Sequence, residues 1–535
     1  MRSEALAIPG AGRTATPRRA DQRSASVPGS PRVSHESAPP HASALIESLR
    51  GVGYSLPTAL ADVIDNSIAA GAKNVRLAFD WDGPSSRITI VDDGRGMKES
   101  ELSAAMRLGT RSPRDARKSS DLGRFGLGLK TASFSQCRRL TVASRAVKGG
   151  KVAVRRWDLD HILHVAHDWH LLDSPAEGSE KYIEQALKGS STGTVVLWEL
   201  LDRVVSPELS AKAGLSWWNE QLERAENHLA MVFHEFLEKG ELRIHLRGSA
   251  SERLVKAWDP FMREHVPTVC PSETIRTPEG EINVRGFILP HKDRLDQKDW
   301  TRGEGPDGWI SQQGFYVYRN NRLLLAGSWL GLGSGGRAWT REMAYQLARI
   351  RIDIPNTMDD AWRIDIRKST ARPPAGVRAR LLPIATDVRK RAREVFAFRA
   401  GGRAAHTAAE QPAAPVWQSH ARGDAVRYLV DRSHPLVQAV LGANGEGAAL
   451  VEAMLRAIEE TVPVQRIWLD AMDRGAVATQ VIEVTPESLE VLRTFYRHLR
   501  VKNGMEPVPA TALLARTEPF SRMIKHISDL PDSLS

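Results

Sequence analysis

Only two cysteines, Cys137 and Cys270, occur in the 535-residue chain. So few thiols exclude a disulfide framework and a cysteine-ligated metal cluster, and they fit a reducing, intracellular compartment. Long apolar runs are also missing. The apolar fraction is 41%, yet no uninterrupted stretch approaches the roughly 18 residues needed to span a bilayer. The N-terminus carries no apolar segment of the kind an export signal needs, so the expectation is a soluble, cytoplasmic protein with no membrane partner. The length suffices for two to four domains with a substantial core.

The formal net charge is +10, and it is unevenly spread. Between Arg363 and Arg393 ten Lys or Arg face two Asp, a local +8. Such a segment attracts nucleic acid, acidic protein or nucleotide phosphate, unless it is simply a solvated helix face. Within it Leu381, Ala385, Val388, Ala392 and Val395 recur at steps of four and three, which predicts a buried stripe, with Arg378, Arg389, Arg391 and Arg393 facing solvent. Residues 1–42 are rich in Pro, Ser, Ala and Arg, and they read as a disordered basic tail because they bury too little to offset ordering entropy.

Three segments stand in an order that matters. The first is a helix beginning near Ser55, with Pro57 in its first turn and Gly71 at its end. Leu60, Val63, Ile64 and Ile68 make its apolar face, while Asp62 and Asn66 project together one turn apart. The second is the strand RITIVDD, paired with NVRLAFDW across Gly83-Pro84, which delivers Asp92 ahead of Gly94, Gly96 and Met97. The third is LGRFGLGLKTAS, where Gly123, Gly126 and Gly128 let the backbone approach an anion and Lys130-Thr131 open a helix. A polar segment at 110–121 is suited to a mobile lid. RRLTVASR, KVAVRRWDL and TGTVVLWEL read as further strands of an α/β sandwich that closes near residue 203.

This ordered set resembles the GHKL ATPases, the group of gyrase, heat-shock chaperones, histidine kinases and MutL. It is most similar to the Microrchidia (MORC) and MutL type over about residues 45 to 200, and more loosely to about 400. The resemblance implies a Bergerat-type ATP-binding domain over residues 43–203 and a transducer-like α/β domain with a connecting helix over 204–400. A linker at 401–423 and a mostly helical region at 424–535 follow. ATP and Mg2+ are the implied cofactors. Asp92 would accept the adenine amino hydrogens, Gly94 and Gly96 would let the backbone pass beside the base, and Met97 would pack on it. Asn66 matches the magnesium ligand. The loop of Gly123, Arg124, Phe125, Gly126, Leu127, Gly128 and Leu129 would wrap the phosphates, with Lys130 and Thr131 beside them and Thr194 supporting the adenine site. Lys368 corresponds to a transducer lysine offered to the γ-phosphate. Asp62 falls where the family carries a water-activating glutamate. Aspartate is one methylene shorter, and a misplacement of about 1 Å costs roughly 10²-fold in rate.

By the same resemblance, nucleotide would order the lid and pair two N-terminal domains into a homodimeric clamp acting on double-stranded DNA or a partner protein complex. No phosphoacceptor-histidine helix pair precedes the site, and neither a strand-cleaving acidic cluster nor a MutL-type endonuclease motif is visible. An adaptor that binds ATP but turns it over poorly is the alternative.

Overall fold

A computed structural model of the chain describes residues 40–109, 128–166, 168–206, 208, 211–248, 252–365, 368, 370–397, 415–422, 425–443, 447–463, 485–528 and 530. The basic tail through residue 39, the lid at 110–121 and loop residues Gly123, Arg124, Phe125, Gly126 and Leu127 therefore lie outside the described residues. The structure divides into two compact units, the first ending at Ala225 and reclaiming Leu242–Leu254, the second taking Glu226–Glu241 and the chain from Val255 onward. Among the described residues no helix is long and apolar enough to cross a membrane.

The first unit begins with helices α1 (Ala42–Arg50) and α2 (Leu56–Ala69). Ser55 caps α2 by accepting from the Thr58 N–H, Pro57 occupies its first turn, and Gly71 at φ +76° ends it. Strands β1 (Asn74–Asp80) and β2 (Arg87–Asp92) form an antiparallel hairpin, after which come α3 (Glu99–Met106) and α4 (Gly128–Phe134). Next are β3 (Arg139–Arg145), β4 (Ala153–Asp158), the single turn α5 (Leu159–His161), α6 (Glu180–Leu187), β5 (Gly193–Glu199) and the long α7 (Ala211–Val232). The end of α7 and the whole of α8 (His234–Glu238) belong to the second unit, after which the first resumes with β6 (Arg243–Arg247) and β7 (Glu252–Leu254). All seven strands join one sheet in the order β4-β3-β5-β2-β1-β6-β7.

Both faces of this sheet are covered, which explains why β2 and β5 are buried almost throughout. Val91, Ala143 and Val195 pack with Ile183 and Leu187 of α6. On the opposite face the indole N–H of Trp198 donates to the Ser133 hydroxyl of α4. The expected domain end near residue 203 moves outward. ELRIHLRG (241–248), within the span 204–400 expected for the second domain, holds β6, which pairs parallel with β1 (Val75 opposite Ile244). Long-range parallel pairing leaves no local signal, so spacing alone put the boundary too early.

In the second unit β8 (Thr268–Val269), β9 (Glu273–Thr277) and β10 (Gly280–Ile288) precede α9 (Gln297–Gly303) and α10 (Gly308–Ser311). The hairpin β11 (Gly314–Arg319) and β12 (Arg322–Ser328) turns at Asn320 and Asn321, both at positive φ. After the two-residue strands β13 (Gly333–Ser334) and β14 (Arg337–Ala338) comes β15 (Ala348–Asp353). The main sheet runs β12-β11-β15-β10-β8, with β9 also on β10. Helix α11 (Ala375–Ala397) lays Leu381, Ala385, Val388 and Ala392 on this sheet as the spacing predicts, with Val395 packed at the edge. Arg378, Arg391 and Arg393 are exposed, but Arg389 is buried. Its guanidinium lies 3.6 Å from the ring centre of Tyr345, 4.5 Å from Trp339 and 4.6 Å from Trp329. The aromatics arrive from the β12–β15 connection, which helical spacing cannot report.

Strand structure begins inside the span expected to be a linker, 401–423, and continues into the mostly helical region after it. Trp417–Arg422 and Ala425–Val430 form an antiparallel hairpin, with helices such as Ala448–Glu460, Pro486–Val501 and Pro507–Ala515 beyond it. Leu492, Phe495, Tyr496, Leu499, Ala510 and Leu514 make a small core there.

Candidate functional site

Sheet register places the polar residues of the first unit in a row. Asp92 stands opposite Thr194 on β5, and Thr194 stands opposite Ser144 on β3. The Asp92 carboxylate is buried, accepting from the Gly94 N–H on Oδ1 at 2.9 Å and from the Ser67 hydroxyl of α2 on Oδ2 at 3.0 Å. Burial pushes its pKa above the ordinary aspartate value, and these hydrogen bonds only partly offset that. Ser144 Oγ accepts from the Met97 N–H at 2.8 Å, donates to the Gly193 carbonyl at 3.1 Å, and lies 2.9 Å from Thr194 Oγ1. A hydroxyl has one proton; with that proton on Gly193, Thr194 is the donor to Ser144 and keeps its own lone pairs as acceptors.

The glycines after Asp92 answer to protein neighbours. A methyl group on Gly94 would lie 2.9 Å from Ala70 Cβ and 2.9 Å from Asp92 Oδ1, and one on Gly96 (φ +65°) would lie 2.1 Å from the Arg145 carbonyl oxygen. Their smallness lets the turn dock against α2 and the end of β3, which holds Asp92 and half-buried Met97 in place. Asp93, next in the chain, takes the N–H groups of Lys73 and Asn74 and the Asn74 amide, fixing the start of β1.

On α2, Asp62 is buried and Asn66 is exposed. The Tyr54 hydroxyl donates to Asp62 Oδ2 at 2.8 Å, and the Asn66 amide donates to the Asp62 backbone carbonyl at 2.9 Å. The first residue of α4 comes close to this pair: a methyl group on Gly128 would sit 3.6 Å from Asp62 Oδ2. Leu129 is half-buried and Thr131 fully buried, its hydroxyl 3.4 Å from the Gly128 carbonyl. Lys130 is no exposed helix cation. Its side chain is buried, its ammonium donates to the Ala105 carbonyl in the last turn of α3 at 2.8 Å, and burial lowers its pKa to about 8.

Lys368 belongs to the second unit, in a turn where its N–H donates to the Asp365 carbonyl and φ is +55°. The first unit therefore brings together Asp62, Asn66, Asp92, Gly94, Gly96, Met97, Gly128 and Thr194, with Lys130 directed at α3. Sequence reasoning passed over Tyr54, Ser67 and Ser144. Ser67 was within reach, one residue past Asn66 on the same helix, whereas Tyr54 and Ser144 reach the site only through the tertiary fold.

Residues 54–194 match the family described as histidine kinase-, DNA gyrase B-, and HSP90-like ATPase, so the match opens at the Tyr54 that holds Asp62 and closes at Thr194. These residues form an ATPase domain of the GHKL superfamily. A 94-residue stretch is 35% identical to the DNA mismatch repair protein MutL of Rhodospirillum rubrum, covering 17% of this chain and 15% of that protein. The chain thus matches about one-seventh of that relative's length. The domain class carries ATP binding and a conformational switch.

Proposed function

We propose that the chain is a Mg2+-dependent ATPase of the MORC and MutL type whose nucleotide cycle drives a dimeric clamp acting on double-stranded DNA or a partner protein complex. The supporting observation is the buried Asp92 carboxylate, positioned between α2 and the Thr194-Ser144 row, with Asp62 and Asn66 one helical turn apart on the same α2. In this reading Asp92 accepts from the adenine amino group, Thr194 supports the base, and Asn66 offers its amide oxygen to Mg2+. Bound Mg2+ would supply charge neutralisation at the phosphates. Asp62 orients and deprotonates the attacking water, and its Tyr54 hydrogen bond sets the carboxylate's orientation. The loop 123–129, with Lys130 and Thr131, embraces the phosphates, and Lys368 reads the γ-phosphate.

One observation favours a second reading. Asp62 is short and already holds Tyr54, which suits an adaptor that binds ATP but hydrolyses it slowly. Phosphate release by wild type and Asp62→Asn separates the two. Turnover abolished by the substitution, with ATP binding kept, supports the ATPase; wild-type inertness with ATP and Mg2+ bound supports the adaptor. Duplex binding tests the clamp. With a non-hydrolysable ATP analogue it should be independent of sequence and weaken steeply with salt, and Lys390→Glu with Arg393→Glu, both exposed on α11, should reduce it severalfold without changing nucleotide affinity. No duplex binding at low salt removes DNA as the direct partner.

A further inference from the structure

Between β4 and α6 the chain makes an excursion that carries histidines at every third position, His161, His164, His167 and His170. Of these, His167 lies outside the described residues. The ends of the excursion are pinned to β4, because Arg156 and Leu172 exchange both backbone hydrogen bonds, at 2.8 and 2.9 Å. The His161 N–H is held by Asp158 Oδ1, and Trp169 packs edge-on against Trp157 with ring centres 6.1 Å apart. This frame brings two side chains from opposite arms together: His161 Nε2 and His170 Nδ1 face each other at 3.4 Å, with ring centres 5.6 Å apart and planes tilted by 36°.

That separation is long for a hydrogen bond, whose donor and acceptor sit about 2.7–3.2 Å apart. It matches another geometry. Two imidazole nitrogens bound at about 2.0–2.1 Å to one tetrahedral ion lie about 3.3–3.4 Å apart. The neighbouring carboxylates are otherwise engaged, Asp160 Oδ1 by two nitrogens of Arg138 and Asp168 Oδ1 by the Trp169 N–H. We propose that His161 and His170 form a pincer for a borderline divalent transition-metal ion of the Zn2+, Ni2+ or Cu2+ class, with water completing the coordination. Imidazole ligands select these ions over Mg2+, so this site is separate in chemistry from any magnesium at Asn66. A bound ion staples the excursion across its mouth and stiffens the packing of Trp169 on Trp157. Trp157 in turn donates to the Met106 carbonyl of α3 and packs edge-on against Phe134 of α4.

Another cluster, His234, Glu238 and Asp259, has ligand atoms within 4.8 Å of one another. There the cation's place is taken, since Arg263 reaches Asp259 Oδ2 at 2.8 Å and Glu238 Oε2 at 2.7 Å.

Calorimetric titration of the full chain with Zn2+, in excess Mg2+, tests the pincer. One equivalent is expected to bind in the micromolar range. His161→Gln and His170→Gln should each weaken that equivalent at least tenfold, and His245→Gln, on β6, should leave it unchanged. Metal-free thermal melting of each variant checks folding. Electron paramagnetic resonance of the Cu2+ form should show nitrogen ligation in wild type, and this readout serves even where a variant fails to fold. No bound equivalent in wild type, Cu2+ without nitrogen ligation, or full retention of the equivalent in both pincer variants would overturn the assignment.

Discussion

Asp92 in the first unit and Glu235 in the second are both buried carboxylates, and burial pushes both pKa values upward, yet they end on opposite sides of their ordinary values. Asp92 finishes raised, because its partners are a serine hydroxyl and a backbone N–H. Glu235 finishes lowered, because the charge and hydrogen bond of Arg351, then Arg263, outweigh its burial. The contrast extends to their surroundings. Lys130 in the first unit is held by a neutral carbonyl and is easier to deprotonate. In the second unit Arg351 grips Asp353 through two nitrogens and lies over the Tyr318 ring at 4.0 Å, and buried Arg319 pairs with Asp359. Glu235, Arg351 and Arg319 are thus paired with opposite charge, as Arg50 with Asp202 and Arg139 with Asp158 are in the first unit. Asp92, by contrast, is buried against a hydroxyl and a backbone N–H, the condition in which a charged group is available to a ligand.

The largest test of that contrast is Asp92→Asn. The amide can keep both neighbours, its oxygen accepting from Gly94 and its nitrogen donating to Ser67, but it turns a donor toward any amino group it is meant to accept from. Removing a charged acceptor costs about 1.5–3 kcal/mol and leaving a donor facing a donor adds to this, so ATP affinity by calorimetry should fall by about 100-fold or more. The nucleotide-free melting temperature should hold or rise, since an ionised buried carboxylate is removed. Unchanged affinity would take Asp92 out of the site.

In the second unit the same kind of change should do the reverse. Arg351→Met strands Glu235 without its main partner, and breaking a buried pair costs about 3–5 kcal/mol. A loss of unfolding free energy of that order is expected by urea titration, largely recovered in Arg351→Met with Glu235→Gln. If the single substitution is silent, the pairing is not what holds the second unit.

Acid should separate the two carboxylates by sign. Glu235 is depressed below its unfolded value near 4.5, so its contribution is present above that value and is lost as pH falls through the folded one. Asp92 is raised, so acidification through its folded pKa relieves a burial penalty and favours the nucleotide-free fold while removing the acceptor. ATP affinity should therefore decline at a higher pH than an ordinary aspartate would dictate, and Glu235→Gln should flatten the acid limb of second-unit unfolding followed by hydrogen exchange.

Lys130→Met carries a smaller effect. Because the folded pKa is near 8 against 10.5 unfolded, the folded state binds fewer protons between those values, and wild-type stability should rise as pH increases through that window. The methionine variant should lose this rise and melt a few degrees higher near pH 7. Smallest is Arg389→Lys, which keeps the charge but gives up planar stacking on Tyr345, Trp339 and Trp329. About 1–2 kcal/mol is expected by chemical denaturation, with duplex binding unaffected because Arg389 is not on the surface.

Periodicity and turn chemistry are local, and what they can express was legible. The Ser55 cap, Pro57 and Gly71 bound α2, the Gly83 turn joins β1 to β2, and the 4-3 spacing from Leu381 to Ala392 names the buried face of α11. The order Asp62, Asn66, Asp92, Gly94, Gly96 and Thr194 was readable for the same reason, since each lies on a short element whose type its own neighbours dictate. Pairing between distant segments has no such signature. Only the tertiary structure put β6 beside β1, set Thr194 between Asp92 and Ser144, and brought Tyr54 to Asp62. It also enclosed Arg389 in three aromatic rings contributed by a distant connection. A side chain's charge can be read from the sequence, but whether that charge meets water, a carbonyl, a carboxylate or a ring depends on which segments pack around it, and that is decided when the core closes.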